Sequence, residues 1–582
     1  MTIYHSPISP FGDIASLSIP QFMTRYNPDG VAADKVVHRD ALSSEALTYS
    51  SLRQKASLSA WGLKHELGVN PGDTILAIVT NSVRNPPPTY PEIVDTMSNH
   101  KKNDFVILAH ATWWLGAVFA PLNTSSTKKD IEHVLALIKP THIATISSKL
   151  QDVQDATASV QLHPNPRVFT VLSKVPSISQ FPNDILSAAT KPLPAFDLGS
   201  KSAKETPSTI CFSSGTTGKM KGVLMSHYSL VANILQLRTS LPARLNSSVR
   251  EVWFTPYCHI YGLATVVLAG MWAGGSFFSL PSFDLELFCA KSSEIQATDM
   301  HLVPPVALLL ATSDLARRYT VPSLQRIVVA AAPLKEALQR ELKNRFPRAS
   351  ICQGYGLTEC SPGVTHQITD KDSSCGTVGT LIAGTEARLV SPTTGRDVAP
   401  GEEGELWIRG PQVMMYIALE CLLWWGYIND APATAATFSP DGWLRTGDIM
   451  RVDADGDFWV TDRLKEMIKY KGFQIPPSEL EDTLLQHPSV TDAAVCAVYV
   501  DSQATEVPLA YVSLPPETTS LPSSEIQPVL DEIRKWSDGQ LAGYKRLRGG
   551  VFHLQTLPKT PTGKILRRLL PAKVKEGREG RL

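Results

Sequence analysis

A chain of 582 residues, 43% hydrophobic and 19% charged, is too long for a single core and too ordinary in composition to be fibrous or disordered. Its 55 basic and 55 acidic residues cancel, with no basic stripe, which argues against a nucleic-acid partner. The longest apolar stretch, near 266–280, holds three glycines and is too short to cross a bilayer, and no secretory pattern follows Met1. The eight cysteines are scattered without metal-binding spacing, so buried free thiols in the cytoplasm are expected. The ending Gly580-Arg581-Leu582 is a degraded form of the Ser-Lys-Leu peroxisomal address and offers a second location.

From Thr48 to Ile146 helical and strand patterns alternate: a helix over 51–67, a strand over 74–79 and a helix over 130–137. Such alternation predicts a parallel sheet flanked by helices. Lys191 to Ser208, rich in Pro, Ser, Ala and Lys, reads as an exposed loop, followed by short apolar strands at 210–212 and 223–225 and another at 324–331. After Gly376 short strands at 386–390, 404–409 and 457–460, separated by Gly, Pro and Asp, predict a β-rich module. Beyond Asp462 a helix over 479–486 capped by Ser478, a strand over 493–500, a polar loop over 514–524 and a helix over 525–536 predict a small α+β domain.

The chemistry concentrates between the first two of those apolar strands. There Ser213, Ser214, Gly215, Thr216, Thr217, Gly218, Lys219 and Lys221 set hydroxyls, glycines and ammonium groups in one short loop. Glycines let backbone N–H groups approach an anion, and hydroxyls and lysines add donors, so the loop suits phosphate. It lacks the Walker A spacing, since Ser213 and Met220 occupy positions that pattern reserves for Gly and Ser/Thr. Four further segments extend it. Gln353-Gly354-Tyr355-Gly356-Leu357-Thr358-Glu359 offers a ring for stacking, a hydroxyl for phosphate and a carboxylate for Mg²⁺. Gly442 to Asp448 ends in a carboxylate able to accept both hydroxyls of a ribose; Asp462 to Gln474 is a cationic turn; Pro558 to Lys564 sets one lysine on a tight loop.

In this order the motifs resemble the acyl-adenylate-forming superfamily, and within it the acyl-CoA synthetases of the 4-coumarate–CoA ligase-like branch. The resemblance covers roughly residues 35–570. It implies an N-terminal domain, 1–461, of two α/β layers plus a β-barrel, and a small mobile α+β C-terminal domain, 462–582, hinged at Asp462. It implies ligation of a small carboxylic acid to CoA at the expense of ATP, with Mg²⁺, through an acyl-adenylate. Ser213, Ser214, Gly215, Thr216, Thr217 and Lys221 would hold the ATP phosphates, with Thr217 and Glu359 near the metal. Gln353, Gly354, Tyr355 and Thr358 would line the adenylate site, Asp448 and Arg463 would hold the ribose, and Lys564 would act in the first half-reaction. Lys469 and Gln474 would contact the adenylate in the second, where Lys471 and Gly472 approach CoA. His259 would orient the substrate carboxylate, and Tyr261, Thr265 and Ala331 would wall the acyl pocket, completed by Phe254 and 330–333. No acidic residue in these pocket segments is placed for an α-ammonium group, which favours simple acids over amino acids.

Two segments depart from the branch: residues 84–103, with Pro86-Pro87-Pro88, and 416–425, with Leu422-Leu423-Trp424-Trp425. Each is either an evolved loop or a gene-model artefact. They leave two other readings open: an adenylating enzyme that loads a carrier protein or oxidises its adenylate, and an impaired binding or scaffold homologue.

Overall fold

The computed structural model describes all residues except 1, 13–15, 44, 82–103, 173, 190, 215–219, 332–333, 335, 368–375, 416–425, 464–465, 471–472, 501–504, 520–521, 542, 560–564 and 571–582. Both departures, 84–103 and 416–425, therefore lie outside the described residues.

The strand expected at 74–79 runs Thr74–Ile78 and pairs in parallel with Val118–Pro121 on one side and His142–Thr145 on the other. Its apolar run is explained by burial on both faces. Ile75 and Ala77 join one core with helices Tyr49–His65 and Asp104–Leu115, while Leu76 and Ile78 join another with helices Lys128–Ile138 and Leu150–Val160. The sheet continues through Arg167–Val171 to Gln180–Phe181 at one end. At the other it passes through Pro207–Ser214 to Met220–Ser226, the one antiparallel pairing in it. Helix Asp104–Leu115 is buried all round. The indole of its Trp113 donates to the Ser208 carbonyl and to Thr209 Oγ1, fixing the strand that carries Ser213. The 191–208 segment is less exposed than its composition predicts, because Leu198 and Ala203 are buried and Phe196 N–H donates to the Trp114 carbonyl.

A second α/β unit contains the parallel strands Arg250–Trp253, Ser276–Ser279 and Val36–Asp40, and a neighbouring sheet in which Asp299–Leu302, Arg326–Val329 and Ser350–Gly356 run parallel. The β-rich module is a five-stranded sheet of Tyr4–His5, Glu386–Val390, Gly404–Arg409, Leu444–Val452 and Phe458–Arg463, antiparallel throughout. Its two edges meet through the Tyr4 and Phe458 rings, 6.0 Å apart between centroids. The expected barrel thus curls toward closure by packing, without a closing hydrogen-bonded pair among the described residues.

The C-terminal part has its own core, built from Ile468, Ile475, Leu480, Val495, Leu509 and Ile533. Strands Asp492–Val500, Thr505–Ser513 and Val551–His553 form its sheet, covered by helices Pro477–Leu484 and Ser523–Gln540. Ser478 is not the cap expected: the helix starts with Pro477 in its first position, where a missing N–H costs nothing, and Ser478 Oγ donates to the Thr461 carbonyl. The loop at 514–524 contains a short helix, Pro516–Thr519. Among the described residues no helix is long and apolar enough to cross a membrane.

Candidate active site

The strands that flank the hydroxyl-rich loop pair with each other in antiparallel register. Ser213 stands opposite Lys221 and Ser214 opposite Met220 in antiparallel register; Gly215, Thr216 and Thr217 lie outside the described residues. Lys221 Nζ sits 4.5 Å from the centre of the Tyr427 ring, and the Tyr427 hydroxyl donates to Glu359 Oε1 at 2.8 Å. Burial, then Glu359, pushes the Tyr427 phenol well up, so it remains a donor at working pH. The Gly222 carbonyl faces the returning chain: Ile428 N–H donates to it, and a Cβ on Gly222 would meet Ile428 Cγ2 at 2.6 Å. The chain leaves this strand and rejoins it at one residue, since Met415 N–H donates to the Leu224 carbonyl and Leu224 N–H donates to the Gly426 carbonyl.

Strand Ser350–Gly356 delivers the second segment. Its Tyr355 hydroxyl donates to Asp448 Oδ2 at 2.6 Å, joining the expected stacking ring to the expected ribose acceptor. Glu405 supports the same corner: its Oε1 accepts from Gly447 N–H, one residue before Asp448. Gly356 is required because a Cβ there would lie 2.3 Å from the Pro362 carbonyl oxygen. Thr358 and Glu359 follow on a single helical turn, with the Glu359 carbonyl held by Met414 N–H at 2.7 Å. Gln353 departs from expectation. It does not line the cleft; it is buried, and its Oε1 accepts from Leu334 N–H.

His259 caps the short helix Ile260–Gly262, its Nδ1 accepting from Tyr261 N–H. Its ring is open to the cleft, and desolvation by the cleft walls lowers its pKa from the ordinary imidazole range. Thr265 follows on a π-helical stretch, Leu263–Gly270, a winding that recurs at functional sites. Ala331 stands at φ 72°, a left-handed conformation that alanine rarely adopts. These residues meet Ser213, Lys221, Tyr355, Thr358, Glu359 and Asp448 around one cleft of about 820 Å³. Phe254 does not line it: the ring packs into a separate core, edge-on to Phe288. Cys258 does, and burial pushes its thiol up to about 12.

The acyl side of the cleft holds polar residues that sequence reasoning missed. Glu251 stands there, outside the pocket segments named from sequence, and His301 engages both its carboxylate oxygens, Nδ1 lying 2.9 and 2.8 Å from them. Arg244 and His366 share this wall. A single glutamate within the otherwise buried strand Arg250–Trp253 was the available signal.

In the C-terminal part Lys469 and Gln474 face each other across the hairpin Ile468–Tyr470 and Phe473–Ile475, and Arg463 stands opposite Asp448 in strand register. Lys471, Gly472 and Lys564 lie outside the described residues. The chain on both sides of Lys564 is nonetheless anchored: Lys559 bridges to Ile565 and pairs with Asp492 at 2.6 Å. Arg567 binds Glu481 at 2.8 and 2.9 Å and also Glu466, which borders the cleft.

Two family models match the chain: AMP-binding enzyme over residues 100–417 and AMP-binding enzyme C-terminal domain over 479–564. The chain is 32% identical over 536 residues to 4-coumarate:CoA ligase 1 of Petunia hybrida, covering 91% of this chain and 89% of that protein. It is 30% identical to peroxisomal OPC-8:0-CoA ligase 1 of Arabidopsis thaliana, over 92% of this chain and 90% of that protein. Among solved structures it resembles ATP-bound MatB from Rhodopseudomonas palustris, with TM-score 0.78 at 24% identity, covering 96% and 98% of the two chains. It also resembles the anthranilate CoA ligase AuaEII in complex with anthranoyl-AMP, with TM-score 0.76 at 23% identity, covering 94% and 96%. At these identities the structures speak for the fold.

Proposed function

The chain belongs to the AMP-binding enzyme family, and on that premise we propose that it ligates a carboxylic acid to CoA, using ATP, through an acyl-adenylate. One observation carries this reading: the hairpin residues Ser213 and Lys221, the Tyr355–Asp448 pair, Glu359 and the His259–Tyr261 segment border a single cleft. Phosphate donors, a nucleoside corner and an acyl pocket are thereby contiguous.

A carboxylate oxygen of the acid attacks the α-phosphorus of ATP, and the bond from that phosphorus to the departing diphosphate breaks. Both reactants are anions, so the site must supply positive charge in the right place. Lys221, with Ser213, Ser214, Gly215, Thr216 and Thr217, holds the phosphates of the leaving diphosphate. Lys564 bridges the attacking carboxylate and the α-phosphate. His259 orients that carboxylate, Thr358 donates to phosphate, Tyr355 stacks on the base, and Asp448 with Arg463 accepts and fixes the ribose. Glu359 offers one carboxylate made of hard oxygen donors, which is the protein share that Mg²⁺ takes when substrate phosphates supply the rest. Thr217 and Glu359 would hold that ion, and its charge would offset the anionic repulsion. In the second step the CoA sulfur attacks the acyl carbon, the bond to AMP breaks, and the thiol proton goes to solvent. No enzyme nucleophile is needed, because the mixed anhydride is already activated.

We place the boundary between two domains at 461/462, with Asp462 as hinge. Support comes from the two separate cores, the first ending at Phe458 and the second beginning at Ile468. Rotation there would exchange Lys564 for Lys469, Lys471, Gly472 and Gln474 at the cleft between half-reactions. Nothing among the described residues favours a carrier protein, oxidation of the adenylate or an inactive scaffold. The test is acid-dependent diphosphate release across aryl, cinnamoyl and fatty acids, with and without CoA. The reading expects turnover that requires both acid and CoA; multiple turnovers indifferent to CoA would overturn it.

A further inference from the structure

Arg244 is a buried guanidinium on the acyl wall of the cleft, 8% exposed. Its hydrogen-bond partners among the described residues are all neutral. Nη2 lies 2.8 Å from Cys352 Sγ and donates to the Gln367 carbonyl at 2.8 Å, while Nη1 is 2.8 and 2.9 Å from the two ring nitrogens of His366. His366 Nδ1 also stands 3.0 Å from the Gln367 carbonyl, which can only accept. That proton places the lone pair on Nε2, facing Arg244. Arg244 Nε has no partner among the described residues.

The acids that surround this arginine are committed elsewhere. Asp299 is held by Arg326 through both oxygens, at 2.5 and 2.9 Å. Glu251, fully buried, is engaged by the backbone N–H and the Nδ1 of His301. Since a carboxylate accepts only, His301 Nδ1 carries a proton, and this pairing leaves Glu251 no part in balancing Arg244. Tyr261, packed against His301 with ring centroids 5.9 Å apart, has a buried hydroxyl without a partner among the described residues. Among the described residues this buried cation has no counter-charge of its own, which is costly, and so are donors left unmade. An acid with a purely hydrocarbon tail would leave these groups as they are.

We propose that the preferred substrate is a dicarboxylic acid, whose second carboxylate, remote from the reacting one, is received by Arg244 with Tyr261. The inference rests on the ligase reading above and names its substrate class. A guanidinium matches a carboxylate by charge and by its fork of donors. A hydroxyl would satisfy a donor and leave the charge uncompensated.

The experiment compares para-methyl-, para-hydroxy- and para-carboxycinnamic acids, and hexanoic with hexanedioic acid, by kcat/KM for acid-dependent diphosphate release. Wild type should prefer each dicarboxylate over its methyl-ended counterpart by about ten- to a hundred-fold, the range expected when unpaired buried donors gain a charged partner. Arg244→Leu should erase or invert that order while activity on the methyl-ended acids stays within a few-fold, and Arg244→Lys should restore part of it. Wild-type preference for the methyl-ended or hydroxyl-ended acids overturns the proposal, as does an Arg244→Leu loss that is equal for all acids. If the arginine variants do not fold, the wild-type order alone decides. Turnover of monocarboxylic acids only would leave the ligase reading standing and remove this one, whereas no acid-dependent release from any acid would remove the ligase reading itself.

Discussion

Tyr427→Phe removes one oxygen and keeps the ring under Lys221, so it isolates the hydrogen bond from the Tyr427 hydroxyl to Glu359. A hydrogen bond to a charged group contributes about 1.5–3 kcal/mol. Tyr427 is buried, but Glu359 borders an open cleft, so solvent replaces part of the loss and about 1–2 kcal/mol is the expected effect. Because every ~1.4 kcal/mol is tenfold in rate, adenylation should slow roughly five- to thirty-fold. The assay is single-turnover formation of the adenylate, followed by thioester formation from supplied acyl-AMP. The first should fall and the second should stay near wild type. An unchanged adenylation rate, or an equal loss in both half-reactions, would refute the role assigned to the Tyr427–Glu359 pair.

Three further outcomes are expected. Lys564→Ala should cut acid-dependent ATP–diphosphate exchange by at least about a hundred-fold while largely sparing thioester formation from acyl-AMP; undiminished exchange would remove its role. Replacing 416–425 by a two-residue turn should leave Tm and adenylation near wild type, because the flanking residues Met415 and Gly426 are both hydrogen-bonded to Leu224 and a shorter connection changes closure entropy little; lost activity would assign the segment a function. His110 and His227 are buried with pKa values lowered by desolvation to about 4 and about 3, from 6.5. A lowered folded pKa means that the unfolded chain binds the proton first. The stability that these neutral rings contribute is therefore complete above pH 6.5 and is lost progressively as pH falls through that window. Each should withdraw about 2 kcal/mol by about pH 5, seen as a falling Tm; a Tm flat between about pH 7 and 5 would contradict this.

The architecture was legible where one physical rule dominates. The run Thr74–Ile78 is apolar on both faces because helices cover both faces, and the strands 386–390 and 404–409 are bracketed by turn residues. The strands on either side of the hydroxyl-rich loop were legible because each is a short apolar run beside contiguous glycines and hydroxyls. What was not legible depends on residues brought together from far apart. Tyr427 meets Glu359 across 68 positions, and Glu251 meets His301 across 50. Neither pair has a local signature. Gln353 and Phe254 were misplaced because their packing partners are distant in sequence: Gln353 Oε1 accepts from Leu334 N–H, and Phe254 joins a separate core with Phe288. Ser478 was misread because the helix opens at Pro477, two residues before the expected start at Glu479, which puts Ser478 inside it.

The central claim is that the acid becomes an adenylate before it becomes a thioester. Acid labelled with heavy oxygen in its carboxylate, turned over with ATP and CoA and analysed by mass spectrometry, tests it most directly. Attack of the carboxylate on the α-phosphorus predicts one labelled oxygen in AMP and none in diphosphate, with the remaining label in the acyl-CoA. AMP free of label, or label in the phosphate products, would contradict the account.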